Sequence, residues 1–267
     1  MLSKIADVIN DVREKAPLVQ AITNYVTIND CANILLSFGA SPAMCEAEVE
    51  VEEFVNLISS LYINTGTFTE EQERAALLAT QKASELGKPI ILDPVACGAI
   101  SRKAVFTKEL LKKSQVSVIK GNVGEIKFLA GYDGKVRGVD SIDTGEGVIE
   151  ACVSLAKKYN TVVAATGQVD VVTDGERTCL IENGTPMLTL ITGSGCMVGA
   201  LTAATAGVNE DKFLTTVSGV LAMGLAGEMA ANSLNGILPG TFRMKLFDYM
   251  YNIKYEDILK GGKIKCL

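Results

Sequence analysis

The sequence predicts an α/β fold with a mostly parallel central sheet, helices on both faces and antiparallel strands at one edge. Short apolar segments alternate with helix-like segments up to about residue 165, an order typical of parallel strands joined by helices. A hairpin pattern follows in residues 170–181, where Asp174 and Gly175 separate two strand-like runs. From Cys196 to about residue 255 the chain is predicted to be mainly helical. Because no linker or repeat interrupts this order, we expect a single domain over residues 1–267.

The first elements carry clear local signals. Residues 18–23 form a short apolar run, and apolar residues at helical spacing follow it. Residues 59–65 are predicted to form a strand. Thr69 and Gln72 then have the spacing of a capping box, and the helix that they begin runs to Gly87, a typical C-cap residue.

The later elements continue the alternation. A helix is predicted over residues 147–158, and the stretch 131–145, rich in Gly and Asp, is expected to be a mobile loop. Further strands are predicted at residues 88–94, 117–120, 161–165 and 188–191, and the hairpin lies between the last two of them.

The chain has no histidine, and this excludes several kinds of catalysis. Histidine is the usual general base near neutral pH and the commonest metal ligand. Ser-His-Asp hydrolysis, Cys-His proteolysis and the HExxH zinc site are therefore excluded. Acid–base or metal chemistry has to use carboxylates, thiols, lysines or backbone groups.

Charge and composition predict a cytoplasmic protein that binds neither nucleic acid nor membranes. The net charge is −6 and the isoelectric point about 4.9, whereas a general nucleic-acid binder carries a basic patch. The N-terminal segment lacks the apolar core of a signal peptide, and the seven cysteines form no CxxC pair, which favours reduced thiols. The apolar stretch 213–231 contains Glu228 and three glycines, so we expect a buried helix rather than a membrane span.

Polar or glycine residues follow five of the predicted strands. In an open parallel sheet, ligands bind beyond the carboxyl ends of the strands, so these residues are expected to converge on one site. They are Thr23 and Asn24; Asp93; Lys120, Gly121 and Asn122; Thr166 and Gly167; and residues 192–196.

The strongest of these signals is the run Gly193-Ser194-Gly195-Cys196, which opens a predicted helix. Its two glycines allow a sharp turn, after which several backbone N–H groups can point the same way at a helix N-terminus. The run therefore predicts an anion hole suited to phosphate, with Cys196 where the helix dipole stabilises negative charge. The alternative is a tight turn into a packed helix, with Cys196 as buried filler.

Two carboxylates and a lysine form a second candidate group. Glu125 and Asp93 are candidate magnesium ligands, since Mg²⁺ is usually held by one or two carboxylates together with phosphates and water. The alternatives are a capping box between Asn122 and Glu125 and a turn-forming role for Asp93 before Pro94. Lys120 is a candidate phosphate contact or, alternatively, an exposed lysine at a strand end.

Asn24 and Met44 are candidate substrate contacts. Asn24 follows the first strand, although it could equally form an Asx turn. Met44 ends the run Gly39-Ala40-Ser41-Pro42-Ala43-Met44 near a predicted strand end, where its polarizable side chain could line a pocket for a flat ring or could belong to the core.

The runs ITNYVTINDCAN (residues 22–33) and TGSGCM (residues 192–197) resemble the hydroxyethylthiazole kinase family, and the likeness extends in order over nearly the whole chain. The resemblance implies a ribokinase-like fold and a homotrimer with active sites between subunits. It also implies transfer of the γ-phosphate of ATP to the hydroxyl of 4-methyl-5-(2-hydroxyethyl)thiazole, a salvage step in thiamine synthesis.

The resemblance further implies roles for individual residues. Met44 and Gly193 would contact the thiazole, and Lys120 and Thr166 would contact ATP. Asp93 and Glu125 would lie near Mg²⁺ and the phosphates. Cys196 would be the catalytic base, at the position where related sugar and pyrimidine kinases have an aspartate.

Two departures from the family pattern are visible. Gln20 stands where the family commonly has histidine, and the loop 96–100 after Asp93-Pro94 has fewer glycines and no threonine at 100. Both leave the predicted fold unchanged.

Three other functions remain open on the residues alone. The first is a kinase for another small alcohol, such as hydroxymethylpyrimidine. The second is an acyl-transfer enzyme with Cys196 as nucleophile, which would lack a histidine partner. The third is a nucleotide-binding regulator without catalysis.

Overall fold

A computed structural model describes residues 1–132 and 146–267, and in these residues nine strands form one sheet. The strands are β1 (Leu18–Ile22), β2 (Ser41–Ala43), β3 (Ser60–Asn64), β4 (Ile90–Asp93), β5 (Val118–Asn122), β6 (Val162–Thr166), β7 (Asp170–Thr173), β8 (Thr178–Ile181) and β9 (Ile264–Cys266). Their order is β2-β1-β3-β4-β5-β6-β7-β8-β9. Neighbours from β2 to β6 are parallel, and β7, β8 and β9 pair antiparallel.

Eleven α-helices occur in the same described residues. They are α1 (Leu2–Lys15), α2 (Ile28–Phe38), α3 (Val51–Val55), α4 (Glu70–Glu85), α5 (Ser101–Lys113), α6 (Val123–Ala130), α7 (Glu146–Tyr159), α8 (Ser194–Ala206), α9 (Lys212–Asn232), α10 (Pro239–Asn252) and α11 (Tyr255–Gly261). The predicted α/β fold class, with a mostly parallel sheet and antiparallel strands at one edge, is confirmed.

Helices cover both faces of the sheet because its strands are apolar on both sides. In β3, Tyr62 belongs to one buried cluster, whereas Leu61 and Ile63 belong to the other, as expected for side chains that alternate along a strand. The first cluster includes buried residues of α1, α2 and α8 to α11, and the second those of α3 to α7. This double burial is typical of parallel sheets.

Local signals located several helix ends correctly. Thr69 and Gln72 form the predicted capping box, and Gly87 adopts a left-handed conformation two residues after the end of α4. Helix α9 is long and apolar enough to cross a membrane, but 83% of its apolar 18-residue stretch is buried within the protein. It is therefore the core helix that the sequence predicted. Of the predicted loop 131–145, residues 133–145 lie outside the described part.

One predicted strand is wrong. Residues 188–191 were expected to be extended, but Pro186–Leu190 forms a 3₁₀-helix. Thr185 begins it, because its hydroxyl accepts the N–H of Met187, and Pro186 has no N–H to contribute to a sheet. The run 192–196 is therefore reached from a helical turn rather than from a strand.

The hairpin is present, but its loop is longer than the two residues predicted. Residues 174–177 separate β7 from β8, so the second strand begins at Thr178 rather than at Glu176. The carboxylate of Asp174 accepts the N–H groups of Glu176 and Arg177, which stabilises a four-residue loop.

Helix α8 lies unusually close to β3 at Gly199. A Cβ atom on Gly199 would be 2.5 Å from Cε2 and 2.6 Å from the hydroxyl of Tyr62. Glycine at this position therefore lets the helix sit directly on the tyrosine ring.

We expect Gly199→Ala to lower the free energy of unfolding by about 1–3 kcal/mol, because overpacking against Tyr62 outweighs the gain in helix propensity. Urea denaturation measures the change. Gly240→Ala is the matched control, since a Cβ there meets no atom within 4 Å. Equal stability of the wild type and the Gly199 variant would contradict the close packing.

Candidate functional site

The site lies at the carboxyl ends of β1, β3, β4 and β5, on the sheet face covered by α8. Tyr62, Ile91 and Val118 point into the cluster on that face. Side chains two residues further along a strand share its face, which places Asn64, Asp93 and Lys120 on the same side. Strand alternation thus brings three polar side chains together below the start of α8.

Asn64 is the centre of a hydrogen-bonded cluster. Its amide nitrogen lies 3.0 Å from Oδ2 of Asp93 and 3.2 Å from Sγ of Cys196, so its two N–H groups can donate to both. Its oxygen accepts from Nδ2 of Asn24 at 2.9 Å and from the N–H of Gly66 at 3.0 Å. Those two donors set the orientation of the Asn64 amide. The Asn24 amide nitrogen also lies 3.4 Å from Sγ of Cys196, and its oxygen accepts the N–H of Thr27.

Asp93 and Lys120 form a buried ion pair beneath this cluster. Nζ of Lys120 lies 3.1 Å from Oδ2 of Asp93, and the two side chains are 5% and 1% exposed. The alternative of an exposed lysine at the strand end is therefore wrong. Burial raises the pKa of Asp93, and Lys120 opposes this rise. Burial alone would lower the pKa of Lys120, but the Asp93 and Glu125 carboxylates raise it, so the lysine remains charged.

Tyr62 joins the ion pair to α8. Its hydroxyl lies 3.1 Å from Oδ2 of Asp93 and 2.9 Å from the carbonyl oxygen of Cys196. The pKa of Tyr62 is held well above its usual value mainly by burial and secondly by the Asp93 carboxylate, so the phenol stays protonated. Its single O–H donates to one of these two oxygens at a time. By contrast, Oδ1 of Asp93 is buried without a hydrogen-bond partner in the described residues.

Glu125 holds the loop after β4 against the end of β5. Its Oε1 accepts the N–H of Ala96 and its Oε2 accepts that of Asn122, each at 2.8 Å. The Asn122–Glu125 capping box is therefore present. The pKa of Glu125 is raised mainly by burial and secondly by the nearby charge of Asp93. Ala96 has a left-handed φ of 61°, and it stands in the loop 96–100 that departs from the family pattern.

The start of α8, where the sequence predicts an anion hole, lies next to the buried lysine. Helix α8 begins at Ser194, and Gly193 precedes it with φ 85°, where a Cβ would lie 2.6 Å from Cγ2 of Thr27. A Cβ on Gly195 would lie 3.3 Å from Nζ of Lys120. The first N–H groups of a helix have no partner within the helix, so a cation and a helix N-terminus adjoin here.

The structure brings together most of the residues predicted for the site. Asn24, Asp93, Lys120 and Cys196 meet in one cluster, beside Glu125 and the glycines of the α8 turn. Met44 directly follows β2 and packs, partly buried, on the α8 face. Thr166 ends β6, where its hydroxyl donates to the carbonyl of Gly121 at 3.2 Å.

Gln20 does not share this face. It follows Val19 and precedes Ala21, both of which point toward α8, so its own side chain lies on the opposite side of β1. There its amide donates to the carbonyl of Cys45 at 3.0 Å.

Sequence reasoning missed Tyr62 and Asn64. Asn64 and Thr65 end the predicted strand 59–65, just as Asp93 and Lys120 stand at the ends of theirs, so the rule that selected those two residues also applies to Asn64. The signal for Tyr62 is weaker, because a tyrosine in a buried strand indicates only that its hydroxyl has a partner somewhere.

The chain has the fold of the ribokinase-like class of α/β proteins. A solved ribokinase-like superfamily protein from Enterococcus faecalis V583 has a TM-score of 0.65 with this chain and covers 88% of it, with 86% of its own chain matched. At 12% identity, this likeness concerns the fold alone.

The chain belongs to the hydroxyethylthiazole kinase family, whose sequence model matches residues 9–256. Hydroxyethylthiazole kinase from Clostridium novyi (strain NT) is 55% identical over 265 residues, 99% of each chain. Hydroxyethylthiazole kinase 1 from Clostridium botulinum (strain Okra / Type B1) is 55% identical over 97% of this chain and 98% of its own. The structure of the hydroxyethylthiazole kinase protein from Pyrococcus horikoshii OT3 is 40% identical, with a TM-score of 0.90 and 98% of both chains covered. The resemblance found in the sequence is thereby confirmed.

We expect Lys120→Met to lower the free energy of unfolding by about 3–5 kcal/mol near neutral pH, because it leaves the Asp93 carboxylate buried and unpaired. Without the lysine the pKa of Asp93 rises further. The carboxyl then takes up a proton as the pH falls, and the loss of stability becomes smaller in acid. Urea denaturation of wild type and variant across the pH range measures both effects.

Lys113→Met is the matched control, since Lys113 pairs with Glu109 on the surface and its removal should change stability little. A loss for Lys120→Met that is independent of pH would contradict an uncompensated charge on Asp93.

Proposed function

We propose that this protein transfers the γ-phosphate of ATP to the hydroxyl of 4-methyl-5-(2-hydroxyethyl)thiazole, as a cytoplasmic thiamine-salvage kinase formed by a single domain. The observation that carries this proposal is the 55% identity over 99% of the chain to a relative named hydroxyethylthiazole kinase. The site supports it, because phosphoryl transfer mainly requires positioning and charge stabilisation.

The charges of the site suit a transferring phosphoryl group. The N–H groups at Gly193–Cys196 and the ammonium of Lys120 would both stabilise negative charge on the phosphoryl group. Both are preorganised, because the fold holds them in place before the reaction. Lys120 and Thr166, at the ends of β5 and β6, are the proposed ATP contacts. Asn24, Met44 and Gly193 are the proposed thiazole contacts.

Cys196 is the proposed base for the alcohol proton. Its sulfur lies within hydrogen-bond distance of the amide nitrogens of Asn24 and Asn64, which hold it at the start of α8. Because the transition state for phosphoryl transfer is loose, removal of the alcohol proton can be late and a weak base is sufficient. Asn64 also contacts Asp93, so we propose it as a positioning residue for both groups.

The residues present fit a magnesium ion. Oδ1 of Asp93 is buried without a partner in the described residues, and Glu125 is adjacent, so Asp93 and Glu125 would hold the ion or its waters. Bound Mg²⁺ would neutralise phosphate charge. Clusters of three or more His, Cys, Asp or Glu side chains able to hold a metal do not occur in the described residues, which suits an ion completed by phosphates and water.

We further propose a homotrimer in which the site lies between subunits. Tyr25 and Val26, directly after Asn24, are 55% and 62% exposed. Apolar side chains exposed beside a polar site are typical of surfaces that a partner covers, which supports the proposal.

A coupled assay of ADP formation tests the function. We expect turnover with the thiazole alcohol that requires Mg²⁺, and little with hydroxymethylpyrimidine. Preference for the pyrimidine would favour the other small-alcohol kinase. ATP binding without turnover of any alcohol would favour a regulator, and alkylation of Cys196 by iodoacetamide together with acyl transfer would favour the thiol enzyme.

A double-mutant cycle tests whether Asn64 acts through Cys196. We expect Cys196→Ala to lower kcat about 100-fold with little change in the KM for the thiazole alcohol, since a base contributes to the transition state. Asn64→Ala should lower kcat roughly tenfold in the wild type but much less in the Cys196→Ala background.

Asn33→Ala, at an exposed asparagine of α2, is the control and should leave kcat unchanged. Cys196→Asp should retain measurable turnover, because a carboxylate can accept the same proton. Full additivity of the Asn64 and Cys196 effects would show that the amide does not work through the thiol, and full activity of Cys196→Ala would remove Cys196 as the base.

The role of Glu125 is tested by Glu125→Gln. We expect the Mg²⁺ concentration for half-maximal turnover to rise roughly tenfold, because the substitution removes a negative charge beside the ion. A Mg²⁺ titration at saturating ATP measures it, with the surface variant Glu109→Gln as control. Thermal denaturation of both variants separates a weakened cap from a weakened ion site. An unchanged titration would refute the assignment.

A further inference from the structure

Two cysteines that play no part in the proposed reaction face each other at the antiparallel edge of the sheet. Cys179 of β8 is paired in register with Cys266 of β9. Their sulfur atoms lie 3.9 Å apart. Cys179 is buried and Cys266 is exposed. One sulfur of the pair is therefore accessible to solvent, and the other lies in the interior of the protein.

The backbone at this pair has the geometry that a disulfide needs. The N–H of Leu267 donates to the carbonyl of Thr178, and the N–H of Glu182 donates to that of Lys263, each at 2.9 Å. Hydrogen-bonded and non-hydrogen-bonded pairs alternate in an antiparallel ladder, so Cys179 and Cys266 form a non-hydrogen-bonded pair. The Cα atoms of such pairs are about 4.5 Å apart, within the range of about 4.4–6.8 Å that disulfides span.

The location also favours a cross-link within one chain. Strand β9 has three residues and pairs along one side with β8, so it is a short edge strand held by few backbone contacts. A bond from Cys266 to the buried Cys179 would close this edge covalently. Because β9 stands three strands away from β6, the bond would leave the site at β1 to β6 in place.

We propose that Cys179 and Cys266 form a thiol-oxidation site that closes to an intramolecular disulfide when a small-molecule disulfide, such as oxidised glutathione, is supplied.

The reaction balances as two successive exchanges. The Cys266 thiolate attacks one sulfur of the reagent, whose S–S bond breaks and releases one glutathione thiolate. The Cys179 sulfur, after loss of its proton to solvent, then attacks the Cys266 sulfur of the mixed disulfide and releases the second glutathione. Both protein thiols are oxidised, and the reagent is reduced to two thiols. Burial, followed by the neighbouring Cys266, raises the pKa of Cys179 to about 12, which assigns the first attack to the exposed Cys266.

The test is to incubate the full chain with oxidised glutathione and to determine intact mass and disulfide-linked peptides. We expect the monomer to lose two hydrogens, with the Cys179 and Cys266 peptides joined. The oxidised form should melt roughly 5 °C higher than the reduced form, because the bond closes a long loop. In material whose mass shows the cross-link and no added glutathione, the rate of phosphoryl transfer should be the same as before oxidation.

Cys266→Ser should abolish the cross-link, whereas Cys45→Ser, at another partly accessible cysteine, should leave it intact. Cys179→Val is a second variant, in which the buried cysteine is replaced by an apolar side chain. We expect its reaction to stop at the glutathione adduct of Cys266. It keeps the test valid if the serine variant folds poorly. A stable adduct on the wild-type Cys266, a link between other cysteines, or a link between two chains would each overturn the proposal.

Discussion

The buried ion pair between Asp93 and Lys120 is the interaction on which the surrounding structure depends. Two charges removed from water need hydrogen-bond partners as well as each other. Tyr62 and Asn64, like the lysine, lie within hydrogen-bond distance of Oδ2 of Asp93, whereas Oδ1 has no partner in the described residues. The Tyr62 hydroxyl lies between Asp93 and the backbone of α8, so the helix lies close to β3, and Gly199 makes this approach possible. The architecture around the pair thus follows from the cost of burying charge.

The same arrangement gives the site its chemical character. The start of α8 and the ammonium of Lys120 adjoin, although the chain as a whole carries a net charge of −6. Asn64 links the carboxylate of Asp93 to the sulfur of Cys196 through one amide. These contacts are made without histidine, which the chain lacks.

Sequence reasoning succeeded where the cause of a feature is local. The capping boxes at Thr69 and Asn122, and the glycine turn before α8, involve residues three or four positions apart. It failed where neighbours in space decide the outcome. The apolar run at 188–191 is not a strand, since β8 pairs with β9 and Pro186–Leu190 forms a 3₁₀-helix. The sequence left open whether Lys120 is a phosphate contact or an exposed lysine, because a sequence does not show that Asp93 stands opposite.

The sequence by itself determined the fold class, the family and which strand ends carry polar groups, because alternation of apolar segments and short motifs are properties of neighbouring residues. Only the tertiary structure decided which of those groups meet. Asp93 and Lys120 are 27 residues apart in the chain, and Asn64 and Cys196 are 132 apart. Their contacts depend on strand order and on the depth of α8, which are set by the packing of both apolar faces. Burial then makes the lysine and the aspartate depend on each other. Removal from water strengthens their electrostatic attraction and makes either charge costly without its partner.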